Sequence, residues 1–381
     1  MAKNINSSEY TEETMLKLDI FRKCFREWYP VFLHAPHITH LFIYDMFAGS
    51  GKDAIGNYGS PLILLQEARG ENKQHCKHLY NIGKPIVVFG FNEKIRDKSI
   101  ELQQNIKAEQ SACQEHCEYS SCPFINNIHV RAYDFQELIQ NEQVNNVLSN
   151  KSYGKFVLLD QYGFKQINDE VFLKLINSPK TDFIFFIASS FIRRFKTLGA
   201  VTTYFHDNSI VFDESKPKEC HRAITRYFRS LIPTDKEYYL HSFTIQKGSN
   251  YYGLIFGSNH TLGMEKFLKV CWSEDPLAGE SNCNINNDYE IGSLFYNPTS
   301  SNKKRDVSNI VSNIVKSKIL NKEITSNIEG LKFVLSLGCE PKLFVDIVKE
   351  LIAQNIVEID GTFNRTSSNI HRASEYHIIL K

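Results

Sequence analysis

Four acidic residues, Asp45, Glu93, Asp134 and Asp160, stand at or just past the ends of apolar runs of strand length. Open α/β sheets bind ligands outside the carboxyl ends of their strands, so carboxylates at such tips are candidates for ligand contact. Asp45 closes Leu41-Phe42-Ile43-Tyr44 and opens Met46-Phe47-Ala48-Gly49-Ser50-Gly51, whose glycines let the backbone approach a bound molecule. The turn has neither the GxGxxG of a dinucleotide site nor the GK[ST] of a P-loop; what remains is D-x-F-A-G-x-G. Gly59-Ser60-Pro61 then reads as a helix start, with Ser60 as N-cap and Pro61 at the first helical position. Its free N–H groups suit the carboxylate of an amino-acid-like ligand, although an ordinary helix start explains the same residues. Glu93, at the second strand tip, is placed to accept hydrogen bonds from two ribose hydroxyls, with a surface acid as the plain alternative. Asp134, at the third, is placed to accept an adenine amino group with Phe135 packed beside the ring, and Phe135 equally suits the core.

The second centre is Asp160-Gln161-Tyr162-Gly163, after the strand-like residues 155–159. It resembles the [DNS]-P-P-[YFW] and D-P-[FY]-G turns of amino-methyltransferases acting on nucleic acid. In such turns the carboxylate and a backbone carbonyl accept hydrogen bonds from an exocyclic NH2 and aim its lone pair at a sulfonium methyl, while the ring stacks on the base. Positioning and desolvation carry the displacement, so no strong nucleophile is required. Here Gln161 replaces the proline, which removes the ring that stiffens the turn.

These tips need a sheet to hold them. Strands are expected at 41–45, 85–91, 128–133, 155–159 and 181–190, with a closing hairpin of 239–246 and 251–258 around Lys247-Gly248-Ser249-Asn250. Residues 12–29 carry an apolar stripe at helical spacing that should end before Pro30. Within it Lys17-Leu18-Asp19-Ile20 could touch a ligand, with a solvated face beside that stripe as the plainer reading. Arg193-Arg194 suits either a phosphate contact or a solvated helix start, and Arg222, Arg226 and Arg229 are spaced as a basic stripe or an ordinary charged face.

Cys113, Cys117 and Cys122, with His116 among them, could close a structural zinc site in an insertion around 105–125; reduced loop cysteines are the alternative. The polar stretch 276–305 reads as a linker after a domain of 1–275. Residues 306–381 then offer three helical patterns and a hairpin around a basic loop, 364–372, suggesting a winged-helix module for nucleic acid or for protein. With 44 Lys and Arg against 43 Asp and Glu, net charge +1, whole-molecule charge does not mark a nucleic-acid binder. No signal-peptide core or membrane-length apolar run is present, which points to a cytoplasmic protein without a membrane partner.

In order along the chain, KLDIFRKCFREWYPVF, YDMFAGSG, GSPLILLQEA, FGFNEK, YDFQEL, LLDQYGF and YYGLIFGSNHTLGMEKFLKVCW resemble the three-Cys-motif partner (TcmP) family, itself similar to class I S-adenosylmethionine (SAM) dependent methyltransferases. The resemblance implies an α/β fold, a Rossmann-like class I methyltransferase sheet with a C-terminal winged-helix-like domain. It implies SAM lined by Asp45, Phe47, Ala48, Gly49, Gly51, Ser60, Glu93, Asp134 and Phe135, with Asp160, Gln161, Tyr162 and Gly163 facing a base of RNA or DNA. It also implies association with a radical-SAM-like protein carrying three cysteines. The rival to an enzyme is a docking subunit for that partner, with or without bound SAM.

Overall fold

The computed structural model describes residues 9–115, 117, 119, 127–205, 210–276, 278–285, 294, 310–363, 371 and 375–381. Seven strands form one sheet: β1 (His40–Asp45), β2 (Ile86–Asn92), β3 (Ile128–Arg131), β4 (Tyr153–Leu159), β5 (Thr181–Ile187), β6 (Tyr239–Lys247) and β7 (Asn250–Ser258). Their spatial order is β3-β2-β1-β4-β5-β7-β6; the first five run parallel and β7 is antiparallel to both neighbours. Strand order reverses between β1 and β4, which makes that gap the topological switch point where such sheets hold ligands. Register aligns the tips, with Asp45 opposite Phe91 on one side and Leu158 on the other. Gly90 lies opposite Tyr44, and a Cβ there would come within 2.6 Å of the Tyr44 ring.

Both faces of the sheet are covered, as the near-continuous apolar strands require. Alternate side chains divide between them: Phe156 and Leu158 join one core, Val157 and Leu159 the other. The first is closed by α1 (Glu12–Leu33), α2 (Ser60–Arg69), α3 (Gln74–Ile82), α4 (Arg96–Glu115) and α11 (Thr261–Glu274). The second is closed by α5 (Phe135–Gln140), α6 (Glu142–Ser149), α7 (Asp169–Asn177), α8 (Ser189–Arg194), α9 (Gly199–Tyr204) and α10 (Cys220–Ser230). Every buried Phe or Leu stabilises these layers by roughly 1.5–3 kcal/mol relative to exposure.

Strand β3 ends at Arg131 and β4 begins at Tyr153, each two residues from the sequence reading, and two other boundaries differ more widely. Helix α1 runs through Pro30 to Leu33, because losing one backbone hydrogen bond is offset by burying Leu33 in the core. Strand β5 stops at Ile187, and Ser189 and Ser190 open α8. Beyond the sheet, α12 (Ile310–Leu320), α13 (Asn327–Ser336) and α14 (Pro341–Ala353) precede the antiparallel pair β8 (Val357–Asp360) and β9 (His377–Leu380). Their apolar residues, Phe344 and Val348 among them, belong to the same core cluster as α11, and Trp272 Nε1–H donates to the Gly338 carbonyl at 3.1 Å. The polar 364–372 stretch lies outside the described residues except for His371, as does most of 276–305. Among the described residues no helix is long and apolar enough to cross a membrane.

Candidate functional site

Asp45 is fully buried at the end of β1, where Oδ1 accepts from the Phe47 amide at 3.1 Å. Its Oδ2 is buried with no hydrogen-bond partner. Burial pushes the Asp45 pKa up to about 7; the nearby Ser60 hydroxyl and the Phe47 amide oppose the rise, and the charges of Asp160 and Glu93 add to it. An acceptor left bare in this way costs about 1–3 kcal/mol. The position therefore favours a ligand that brings a donor.

The following turn is shaped by positive φ at Gly49 (61°) and Gly51 (83°). A Cβ on Gly51 would meet Leu102 of α4 at 2.8 Å, so the bare backbone lets this helix close on the turn. The Gly51 carbonyl accepts from the Gly59 amide at 2.7 Å, which folds residues 51–59 into a loop ending at α2. Gly59 rather than Ser60 is the N-cap; Ser60 is buried one position inside, with Pro61 beside it. Asp53 organises the loop by accepting from the Ile55 and Asn57 amides at 3.1 and 2.8 Å, and its other oxygen accepts from the Tyr10 amide at 2.9 Å. Burial, reinforced by the charges of Asp53, Asp160 and Asp45, raises the Tyr10 phenol well above its ordinary pKa.

Glu93 bridges two elements: Oε2 accepts from Gly49 N–H at 3.0 Å and Oε1 from Ile95 N–H at 2.8 Å. Each oxygen keeps a lone pair. Asp134 caps α5, accepting from the Gln136 amide at 2.8 Å, and pairs with Lys94 at 2.7 Å; that lysine holds its pKa below the usual carboxylate range. Phe135 is buried in the second core, its ring 4.9 Å from that of Phe47, and Ala48 is buried in the first.

The Asp160 turn differs from a flexible loop. The Gln161 side chain is buried, donating to the Phe186 carbonyl at 3.2 Å and accepting from the Gln166 amide at 2.9 Å. It fixes the turn by hydrogen bonds where a proline would do so by its ring, and that side chain is not available to a substrate. Gly163 has φ of 87°, and its carbonyl accepts from the Ala188 amide at 3.3 Å. Tyr162 is 76% exposed.

Two further residues contribute, one of them, Lys17, against the plainer of its two readings. Lys17 is not on a solvated face: its ammonium lies 2.6 Å from Asp160 Oδ2, both side chains are less than one fifth exposed, and it sits 4.6 Å from the Phe186 ring centre. Its position on the edge of the apolar stripe was the available signal. Asn92 joins three strand tips, donating to the Met46 and Tyr133 carbonyls at 3.3 and 3.1 Å and accepting from Tyr133 N–H at 3.0 Å. A polar residue directly before Glu93, ending an apolar strand, was the trace it left in the sequence.

Other candidates stand apart. Arg222 is paired with Glu280 at 2.6 Å and Arg229 donates to the Leu240 carbonyl at 2.8 Å, so two of the three arginines tie α10 to its neighbours, while Arg226 is exposed. Cys113 and Cys117 are free thiols, while Cys122 and His116 lie outside the described residues. No group of three or more metal-ligating side chains is found among the described residues.

No protein-family profile matches the chain, and no curated protein matches it. Solved structures similar to it include Trm1 from Pyrococcus horikoshii with S-adenosyl-L-methionine, at 11% identity and a TM-score of 0.38 over 69% of this chain and 59% of that one. An O-methyltransferase from Bacillus cereus in complex with SAH aligns at 12% identity and a TM-score of 0.35, over 67% and 84% of the two chains. The O-methyltransferase TomG from Streptomyces achromogenes, in complex with SAM, aligns at 8% and 0.34, over 66% and 90%. The sheet of this chain is Rossmann-like, five parallel strands followed by the antiparallel β7 and the edge strand β6.

Proposed function

We propose that the chain is a SAM-dependent methyltransferase acting on an exocyclic amino group of a nucleic-acid base. The observation that carries this reading is the placement of Asp45 and Asp160 on the two strands flanking the switch point, one with a bare buried oxygen and the other at the head of an exposed aromatic turn. The residues present fit SAM: Asp45 Oδ2 suits its α-ammonium, the start of α2 its carboxylate, Glu93 the ribose hydroxyls and Asp134 the adenine edge. When bound, SAM supplies an electrophilic methyl group. Asp160 would accept an N–H of the target amine, orient its lone pair and be at hand for the proton given up, with Lys17 holding the carboxylate in place. Tyr162 would stack on the base.

Calorimetry with SAM and S-adenosylhomocysteine tests the first half. Asp160→Ala should abolish methyl transfer to RNA or DNA while sparing SAM binding; transfer at the normal rate would remove Asp160 from its role. A second reading rests on Gln161, which departs from the proline of active amino-methyltransferase turns: the sheet would then be a docking subunit for a three-cysteine, radical-SAM-like protein of the kind the TcmP resemblance implies. Absence of SAM binding to the free chain would favour it. We also take α12–α14 with the β8–β9 hairpin as a winged-helix-like unit following the methyltransferase-like domain.

A further inference from the structure

Directly beyond the Asp160 turn the surface changes character. Phe191, Phe195 and Leu198 are exposed at 42%, 39% and 51%, and Tyr162 in the turn at 76%. The Phe191 and Phe195 rings lie 4.6 Å apart, and Phe164 links them to the turn, its ring 5.9 Å from that of Phe191. Cations interleave with the rings: Arg194 reaches Asn250 Oδ1 at 2.6 Å, while Arg193 and Lys196 share the single carboxylate of Glu214 at 2.9 and 2.6 Å. Three cations against one acid make this stretch basic in a chain whose net charge is only +1. Rings beside cations suit a single-stranded nucleic acid, with bases on the rings and phosphates on the cations, and the net positive charge of the stretch favours that polyanion over a neutral partner.

We propose that residues 191–198, continuous with Tyr162, form a platform that holds unpaired nucleotides next to the target base, so that the substrate is single-stranded or locally opened nucleic acid. The inference rests on the methyl-transfer reading for the identity of the target, but strand binding can be measured without SAM. Duplex DNA or RNA would present no base faces to these rings.

The test is fluorescence anisotropy of the full chain with a labelled single-stranded RNA of about 12 nucleotides, at about 50 and 200 mM salt, beside the same sequence as a duplex. Phe191→Ala and Phe195→Ala should each weaken binding about tenfold with the salt slope unchanged. Arg194→Gln with Lys196→Gln should lower that slope by about one to two. Ring variants that bind like the parent, a duplex bound as tightly as the single strand, or no binding at low salt would overturn the proposal. Calorimetry with SAM on the same samples keeps the two ideas separable: SAM binding with unaffected ring variants sinks the platform alone, whereas ring-dependent strand binding without SAM binding sinks methyl transfer alone.

Discussion

Asp45 sits at the residue scale as a carboxylate that its own fold leaves incomplete, and this has a consequence for pH. With its pKa pushed up to about 7 by burial, the free protein carries Asp45 protonated in mild acid, and a cationic α-amino group needs it ionised. SAM affinity should therefore rise with pH through about 7 and decline again above about 8, where the free α-ammonium loses its proton. Asp45→Asn should flatten the rising part of that profile and weaken SAM binding roughly 10- to 100-fold, as expected for loss of a hydrogen bond to a charged partner. Calorimetry across pH 5.5–8.5 (roughly the span of this titration) is the check, and an unchanged affinity in the variant would remove Asp45 from the site. Lys17 makes a different prediction, because it touches Asp160 and acts through it. Lys17→Met should lower kcat for methyl transfer about 10- to 100-fold through lost positioning while leaving the KM for SAM close to that of the parent. A change confined to the KM for SAM would instead place Lys17 at the cofactor.

At the scale of elements, α1 is fastened to the sheet at a point buried in the first core, where Trp28 Nε1–H donates to Asp182 Oδ2 at 2.9 Å across to β5. Burial raises the Asp182 pKa to about 6, against hydrogen bonds from Ser258 and Trp28 that lower it. An acid whose folded pKa exceeds its unfolded one binds its proton more tightly when native, so the contribution of Asp182 to stability falls as pH rises from about 4 to about 6 and is flat beyond. Asp182→Asn keeps an acceptor for Trp28 and should abolish that fall, leaving the variant roughly 1–3 kcal/mol more stable than the parent at pH 8 and no more stable near pH 4. Denaturant melts at the two pH values decide it, and a variant destabilised at both would mean that the charge itself holds α1. The same element marks what a sequence can disclose. Strands β1, β2, β4, β5 and the β6–β7 hairpin were legible because their runs are mostly apolar and are bounded by turn residues, and the tip acids were legible because each interrupts such a run. Lys17, Asn92 and the buried Gln161 were not, since their roles depend on partners 143, 41 and 25 residues away. Nothing in local spacing distinguishes a lysine that reaches a carboxylate across the sheet from one that faces water. The ends of α1 and β5 escaped for a related reason, as tertiary burial decided them against local preference.

For the whole molecule the question is how the C-terminal elements relate to the sheet. A linker-like composition over 276–305 suggests independence, yet the described contacts argue for coupling. Trp272 at the end of α11 donates to the Gly338 carbonyl, Lys332 of α13 pairs with Glu237 at 2.6 Å, and His371 engages both Thr261 and Glu265 of α11. Beneath these lies a single apolar cluster that contains Phe256, Phe267 and Leu268 from the sheet side and Leu331, Phe344 and Val348 from the other. The exposed pair Lys332–Glu237 adds little, since such bridges contribute about 0–1 kcal/mol, but opening a shared apolar layer costs roughly 25 cal/mol for each Å² uncovered. The chain should then unfold in one cooperative calorimetric transition, with the measured and van't Hoff enthalpies in agreement. Opening a space in the shared layer with Phe344→Ala should lower the midpoint of that whole transition, with a loss of about 3–5 kcal/mol. Two resolved transitions, with only the smaller one shifted by Phe344→Ala, would instead show that the C-terminal helices fold and melt on their own, and the nucleic-acid platform beside α8 would have to work without them.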